Sequence, residues 1–139
     1  MVDVSLFCED RGHELFSGAL VSRLARELGI EIEVTPLSTS GGHGRAVTQL
    51  QTWQRALERG LRVGKPDVLV VVIDGNCTGA SEKKREIEQH INQSVVPRWA
   101  IGCPDPHVER WCMADPVAFE TLIGGPPLPE PPAKCERGD

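Results

Sequence analysis

The sequence predicts an α/β protein with a mainly parallel four-stranded sheet and helices on both faces. Three observations predict it. Residues 68–73, Val-Leu-Val-Val-Val-Ile, form an unbroken apolar run rich in β-branched residues, as in a strand buried on both faces of a parallel sheet. Segments of strand character alternate with segments of helical spacing in the order β-α-β-α-β-α-β-α, which favours parallel strands joined by crossover helices. The buried run ends in Asp74-Gly75-Asn76, and the carboxyl ends of strands are where open α/β sheets bind ligands.

Each element follows in turn. Residues 2–8 alternate and then become apolar, reading as strand one, and Glu9-Asp10-Arg11-Gly12 as a polar loop. From 13 to 28, Leu15, Phe16, Leu20, Leu24 and Leu28 recur at helical spacing before Gly29, so they are expected to form a buried stripe with a glycine stop. Residues 31–36 alternate as strand two. A glycine-rich loop over 38–44 leads to a helix over 45–59, with Val47, Leu50, Trp53 and Leu57 inward and Gly60 at its end. Residues 67–73 are strand three. A polar helix over 81–91 is expected to be capped by Ser81, with Glu82 in its first turn. Residues 99–102 are strand four. A helix over 107–114 would turn Val108, Trp111 and Cys112 inward. Asp115-Pro116 reads as a cap followed by proline at the first helical position of a last helix to 123. The stretch 124–139 is proline-rich, suits extended chain, and ends without a closing element. The expected organisation is therefore one domain over 1–123 and an extended, disordered or truncated tail over 124–139.

A chain of 139 residues suits a single core. Its net charge of −5 argues against a uniformly basic nucleic-acid groove, although a bound metal can supply the positive charge that meets phosphate. No apolar stretch approaches the roughly 20 residues that cross a bilayer, and the start lacks a positively charged leader. The five scattered cysteines, Cys8, Cys77, Cys103, Cys112 and Cys135, read as free thiols of a cytoplasmic protein.

The chemistry-bearing residues are mainly acidic. Glu9 follows strand one, and Asp74 and Asn76 follow strand three. Neighbouring parallel strands end on one edge of the sheet, so these oxygens are expected to converge on Mg²⁺ or Mn²⁺. Glu109 either faces solvent or reaches that site. The bland role of Asp115 is a helix cap. In Ser40-Gly41-Gly42-His43-Gly44-Arg45, backbone N–H groups at a helix start, helped by Arg45, suit an anion. No Lys-Ser/Thr follows, so it is no P-loop, and a plain flexible linker explains it too. Cys103, His107 and Cys112 lack the paired short spacing of structural zinc. No cysteine stands in an electropositive setting, and no Gly-x-Ser-x-Gly is present.

Taken together, residues 8–16 (Cys-Glu-Asp-Arg-Gly-His-Glu-Leu-Phe), 71–76 (Val-Val-Ile-Asp-Gly-Asn) and 109–115 (Glu-Arg-Trp-Cys-Met-Ala-Asp) resemble the TOPRIM-like family. This is the topoisomerase–primase fold, shared with overcoming-lysogenization-defect nucleases and with small proteins of phage-defence loci. The resemblance covers about 2–123 and rests on the order and spacing of three short motifs. It implies a TOPRIM-like three-layer sandwich and a nuclease acting on DNA or RNA. It also implies Glu9 and Asp74 as catalytic residues, Glu9, Asp74, Asn76 and Glu109 as metal ligands, and Glu14 and Asp115 as secondary site residues. In that reading Arg11, His43 and Arg45 contact substrate, an AAA- or ABC-type ATPase is a partner, and a homo-oligomer is possible. Two departures stand out. Asn76 replaces the second acid of the family's D-x-D, and Glu14 lies one residue later than the second glutamate of the opening motif.

A non-catalytic regulatory or binding subunit of an ATPase complex is the alternative, favoured by Asn76. A flavodoxin-like receiver with Asp74 as phospho-acceptor ranks last, because no lysine follows Ile101 at the end of its strand.

Overall fold

The computed structural model describes residues 1–38, 45–61 and 64–125. In chain order it contains β1 (Val2–Cys8), α1 (Arg11–Glu27), β2 (Ile32–Ser38), α2 (Ala46–Glu58), β3 (Val68–Val72), α3 (Ala80–Gln89), β4 (Trp99–Gly102), α4 (Glu109–Cys112) and α5 (Pro116–Ile123). The four strands form one sheet in the order β2-β1-β3-β4, and every pairing is parallel. The α/β class and parallel sheet expected from the sequence are therefore present. Beyond Gly125, the proline-rich stretch lies outside the described residues, as do Cys135 and the His43 loop.

The pleat divides the sheet's side chains between two layers. Phe7, Leu69 and Val71 face α2 and α3, where Leu50, Trp53, Leu57 and Ile87 complete a buried apolar cluster with Ile91, Val95 and Val96. Buried Gln54 ties this layer together, donating to the His90 carbonyl at 2.8 Å and accepting from the Asn92 N–H at 2.6 Å. Leu6, Cys8 and Val72 face the other way and meet Val34, Val70 and Trp111. Trp111 lies directly over Gly102: a Cβ there would stand 2.8 Å from the indole, so β4 needs glycine at this point. The Trp111 ring also meets Phe16 of α1, with centroids 6.5 Å apart.

Several local expectations are corrected. The apolar stripe of α1 is not its buried face. Leu15, Leu20, Leu24 and Leu28 are 42–71% exposed, whereas His13, Ser17 and Ala25 are buried. The helix begins at Arg11 because Asp10 caps it, accepting from the His13 N–H at 2.9 Å. Ser81 does not cap α3; the cap position is Gly79, at φ 87°, with no side-chain bond. Glycine alone adopts that conformation at no steric cost. The helix expected over 107–114 is a single turn, and Cys112 is exposed rather than inward. Cys8, Cys103 and Cys112 are free thiols, but Cys77 is disulfide-bonded, against the expectation of free thiols throughout. Asp115 does cap α5, accepting from the Ala118 N–H at 3.1 Å, with Pro116 opening the helix. Among the described residues, no helix is long and apolar enough to cross a membrane.

Candidate metal centre

β1 and β3 are adjacent and in register, with Cys8 opposite Val72. The residues that leave them, Glu9 and Asp74, therefore emerge side by side at the carboxyl edge. The chain departs from β1 toward β2 on one side and from β3 toward β4 on the other. This is the topological switch point, where the connections diverge and leave a crevice.

Glu9 and Asp74 are 6% and 8% exposed. A Glu9 Oε2 atom accepts from the Asp74 N–H at 3.2 Å, which ties the two strand ends together. α1 then delivers His13 between them. Its Nε2 lies 2.7 Å from Asp74 Oδ1 and 3.5 Å from Glu9 Oε2. One donor atom from each of Glu9, His13 and Asp74 lies within 4.8 Å of the others.

A second layer holds these three groups. Asp10 Oδ1 stands 2.8 Å from His13 Nδ1 while capping the helix, so one carboxylate fixes both the backbone and the ring. The Val108 N–H donates to Asp74 Oδ1 at 2.9 Å, and His107 Nδ1 lies 3.3 Å from Asp74 Oδ2. The segment carrying His107 and Val108 is pinned to the turn after β3. Gly75 N–H donates to the Pro104 carbonyl at 2.7 Å, and Asn76 N–H to the Pro106 carbonyl at 3.0 Å. A Cβ at Gly75 would stand 2.9 Å from the Ala80 nitrogen and 3.2 Å from the Pro104 carbonyl oxygen, so the close approach requires glycine.

The electrostatics follow from this packing. Burial opposes a charge on His13, but hydrogen bonds to Asp74 and Asp10, and their negative charges, outweigh it and raise its pKa to about 9. His13 therefore carries a proton at neutral pH while its nitrogens face the two aspartates. Burial works against the Asp10 carboxylate, yet the His13 N–H, the His13 ring and its charge hold that carboxyl below its usual range. The free thiols are poor nucleophiles: burial pushes Cys8 up to about 12 and Cys103 to about 11, and also raises Cys112.

Two carboxylates and an imidazole aimed at one point fit a divalent cation, which would take the place of the His13 proton. The group is nearly closed to solvent. Its side chains are 4–11% exposed, and of its immediate partners Asp10 (59%) and His107 (25%) reach the surface. A cavity of about 610 Å³ elsewhere is lined by Asp3, Glu33, Trp53 and Lys65.

Of the residues singled out in the sequence, Glu9 and Asp74 are brought together. Asn76 sits in the following turn at φ 47°, a left-handed conformation that asparagine tolerates better than most residues. Glu109 is exposed at the start of α4 and is not part of the three-residue group. Glu14 pairs with Arg11 at 3.5 Å on the first turns of α1. Arg11 is exposed there, and Arg45 is exposed at the start of α2. His13, Asp10 and His107 were missed as site residues. One local signal exists for the first two: an Asp before a helix caps the residue three positions on, and that residue here is a histidine. His107 has no such signal, since only the packing of the segment after β4 brings it to Asp74.

Comparisons with protein-family models, curated proteins and solved structures gave no match.

Proposed function

We propose that this chain is a metal-dependent, TOPRIM-like nuclease that hydrolyses phosphodiester bonds of DNA or RNA. The observation that carries the reading is the convergence of Glu9, His13 and Asp74 at the switch point of a parallel sheet. Glu9, His13 and Asp74 would hold a divalent ion, Mg²⁺ or Mn²⁺ on the sequence reading, which would supply charge stabilisation to phosphoryl oxygens and Lewis acidity for hydrolysis. The chain's own residues do the rest. Glu9 and Asp74 hold the ion, and Asp10 orients the His13 ring. Val108 N–H and His107 keep the Asp74 carboxylate in place. Arg11, exposed on the first turn of α1 and paired with Glu14, would contact a phosphate oxygen through its remaining guanidinium N–H groups.

The resemblance of the three motifs to the TOPRIM-like family implies the substrate class and a role in phage defence beside an AAA- or ABC-type ATPase. Asn76 stands where the family has a second acid and offers an amide oxygen; Glu109 would act from α4. The test is cleavage of single- and double-stranded DNA and RNA with Mg²⁺ or Mn²⁺, alone and with the product of any neighbouring ATPase gene. Wild type is expected to cut and Asp74→Ala to lose activity by orders of magnitude. A wild type that cuts nothing under any of these conditions sinks the nuclease reading.

A second reading, a non-catalytic subunit, is favoured by one observation. Both His13 ring nitrogens already lie at hydrogen-bond distance from carboxylates, Nδ1 from Asp10 and Nε2 from Asp74, and Glu9 already accepts from the Asp74 N–H. On this reading the cluster is a polar clasp that joins α1 to the sheet, and removing all divalent ions with chelator leaves its stability unchanged.

A further inference from the structure

We propose that the Glu9–His13–Asp74 site selects a late first-row transition cation, Zn²⁺, over Mg²⁺ and Mn²⁺. His13 Nε2 is a ligand, and Asp10 is the residue that positions it. The inference rests on the reading of this cluster as a metal centre, and it names the class of ion.

The donor set decides the class. Mg²⁺ demands an octahedron of hard oxygens and gives up its waters reluctantly. Imidazole suits Zn²⁺ and other transition ions, and these also accept carboxylate oxygen. Any cation between Glu9 and Asp74 meets a ring nitrogen, because His13 has nowhere else to go. It is 3% exposed, its backbone is in the first turn of α1, and its Nδ1 is held by Asp10 at 2.8 Å. Donors that bind one ion at about 2.0–2.2 Å lie about 3–3.5 Å from one another. Nε2 lies 3.5 Å from the Glu9 oxygen, and its 2.7 Å hydrogen bond to the Asp74 oxygen would open slightly as an ion replaced the proton between them.

Asp10 adds a second, independent feature. Metal-bound histidines usually donate their other ring N–H to a carboxylate, which fixes the tautomer and raises the basicity of the ligating nitrogen. Asp10 occupies that place on the far side of the ring and stands outside the group of three donors. A structural cap needs only the bond to the His13 N–H; the bond to Nδ1 goes beyond it. Cys8, Cys103 and Cys112 offer soft alternatives elsewhere in the chain, so the test must separate them from this site.

The full chain, stripped with chelator, is titrated calorimetrically with Zn²⁺, Mn²⁺ and Mg²⁺, and with Co²⁺ while its visible absorption is recorded. One Zn²⁺ per chain is expected, with Mg²⁺ and Mn²⁺ binding at least ~100-fold more weakly because the site contains imidazole. Asp74→Ala is expected to remove this binding, which a thiol site would retain. Asp10→Asn keeps a capping side chain and is expected to weaken Zn²⁺ binding about 10–100-fold with the circular dichroism spectrum unchanged. His13→Gln is expected to erase the preference over Mg²⁺ and the imidazole contribution to the Co²⁺ spectrum. Mg²⁺ binding within tenfold of Zn²⁺, or an Asp10→Asn variant that binds Zn²⁺ like wild type, overturns the inference; if Mg²⁺ then supports cleavage, the nuclease reading survives alone. Selective Zn²⁺ binding without cleavage of any nucleic acid upholds the inference and removes the nuclease reading. No binding of any cation removes both.

Discussion

On one face of the sheet, Phe7, Leu69 and Val71 are sealed by Leu50, Trp53 and Leu57 of α2 and Ile87 of α3, with Ile91, Val95 and Val96 closing the end. On the other, Leu6, Cys8 and Val72 meet a thinner apolar layer around Trp111, and α1 brings His13, Ser17 and Ala25 to the sheet instead of its leucines. The first face is held by apolar area. The second relies more on geometry: a glycine under a tryptophan, and a histidine clasped between two aspartates. Burying those polar groups costs free energy unless every one is bonded, and here the bonds are made by the residues that can also take an ion. The thin face therefore carries the group that could hold a metal ion, and the thick face carries most of the buried apolar core.

Substitutions on the two faces can break this contrast. The largest loss is expected from Leu50→Ala, since this side chain is completely buried in the thick layer; it should cost about 2–5 kcal/mol in a urea denaturation series. A cost well under 1 kcal/mol would mean that the thick face is not where stability resides.

The next effect depends on pH. The pKa of His13 is raised in the folded chain from 6.5 to about 9. Its contribution is therefore complete below the unfolded value and is lost as pH rises through about 9. Metal-free protein should lose stability on the order of 3 kcal/mol between pH 6 and pH 10 from this group. His13→Gln should flatten that dependence in denaturant midpoints measured across the range. A wild-type profile no steeper than the variant's would remove the polar clasp from the account.

Gly102→Ala is expected to cost about 1–3 kcal/mol, because the new methyl overpacks against Trp111; indole fluorescence and melting temperature report it. The smallest effect belongs to the exposed side of α1. Leu24→Ser, at a position 49% exposed, should change stability by no more than about 0.5 kcal/mol. A larger drop, or a change in sedimentation, would show that another surface covers this helix.

Much of the thick face was legible in the sequence. Leu50, Trp53 and Leu57 lie at helical spacing, and all three are buried in α2. β4 occupies the expected residues, and Asp115 caps α5. The thin face was misread because its helix carries a leucine pattern that periodicity assigns to the core, while Asp10 and Asp74 fasten its first turn by way of His13 and so favour a different face toward the sheet. At the site, Glu9 and Asp74 were visible as acids on strand tips. His13 was half visible through its capping aspartate, and His107 not at all.

The sequence alone determined what depends on near neighbours: the alternation of strands and helices, the doubly buried strand β3, the turn at Asp74-Gly75, and the acids at the strand ends. These follow from side-chain period and local backbone preference, which a few consecutive residues set. Only the tertiary structure decided which of those ends meet. The strand order β2-β1-β3-β4 and the register of Cys8 with Val72 bring Glu9 to Asp74. The rotation of α1 brings in His13, and the packing of the segment after β4 on Gly75 and Asn76 brings in His107. The contacts of Glu9, His13 and His107 with Asp74 join residues 33 to 65 positions apart. Their free energy is gained only once the chain has closed loops of that length, so nothing in the local text marks them.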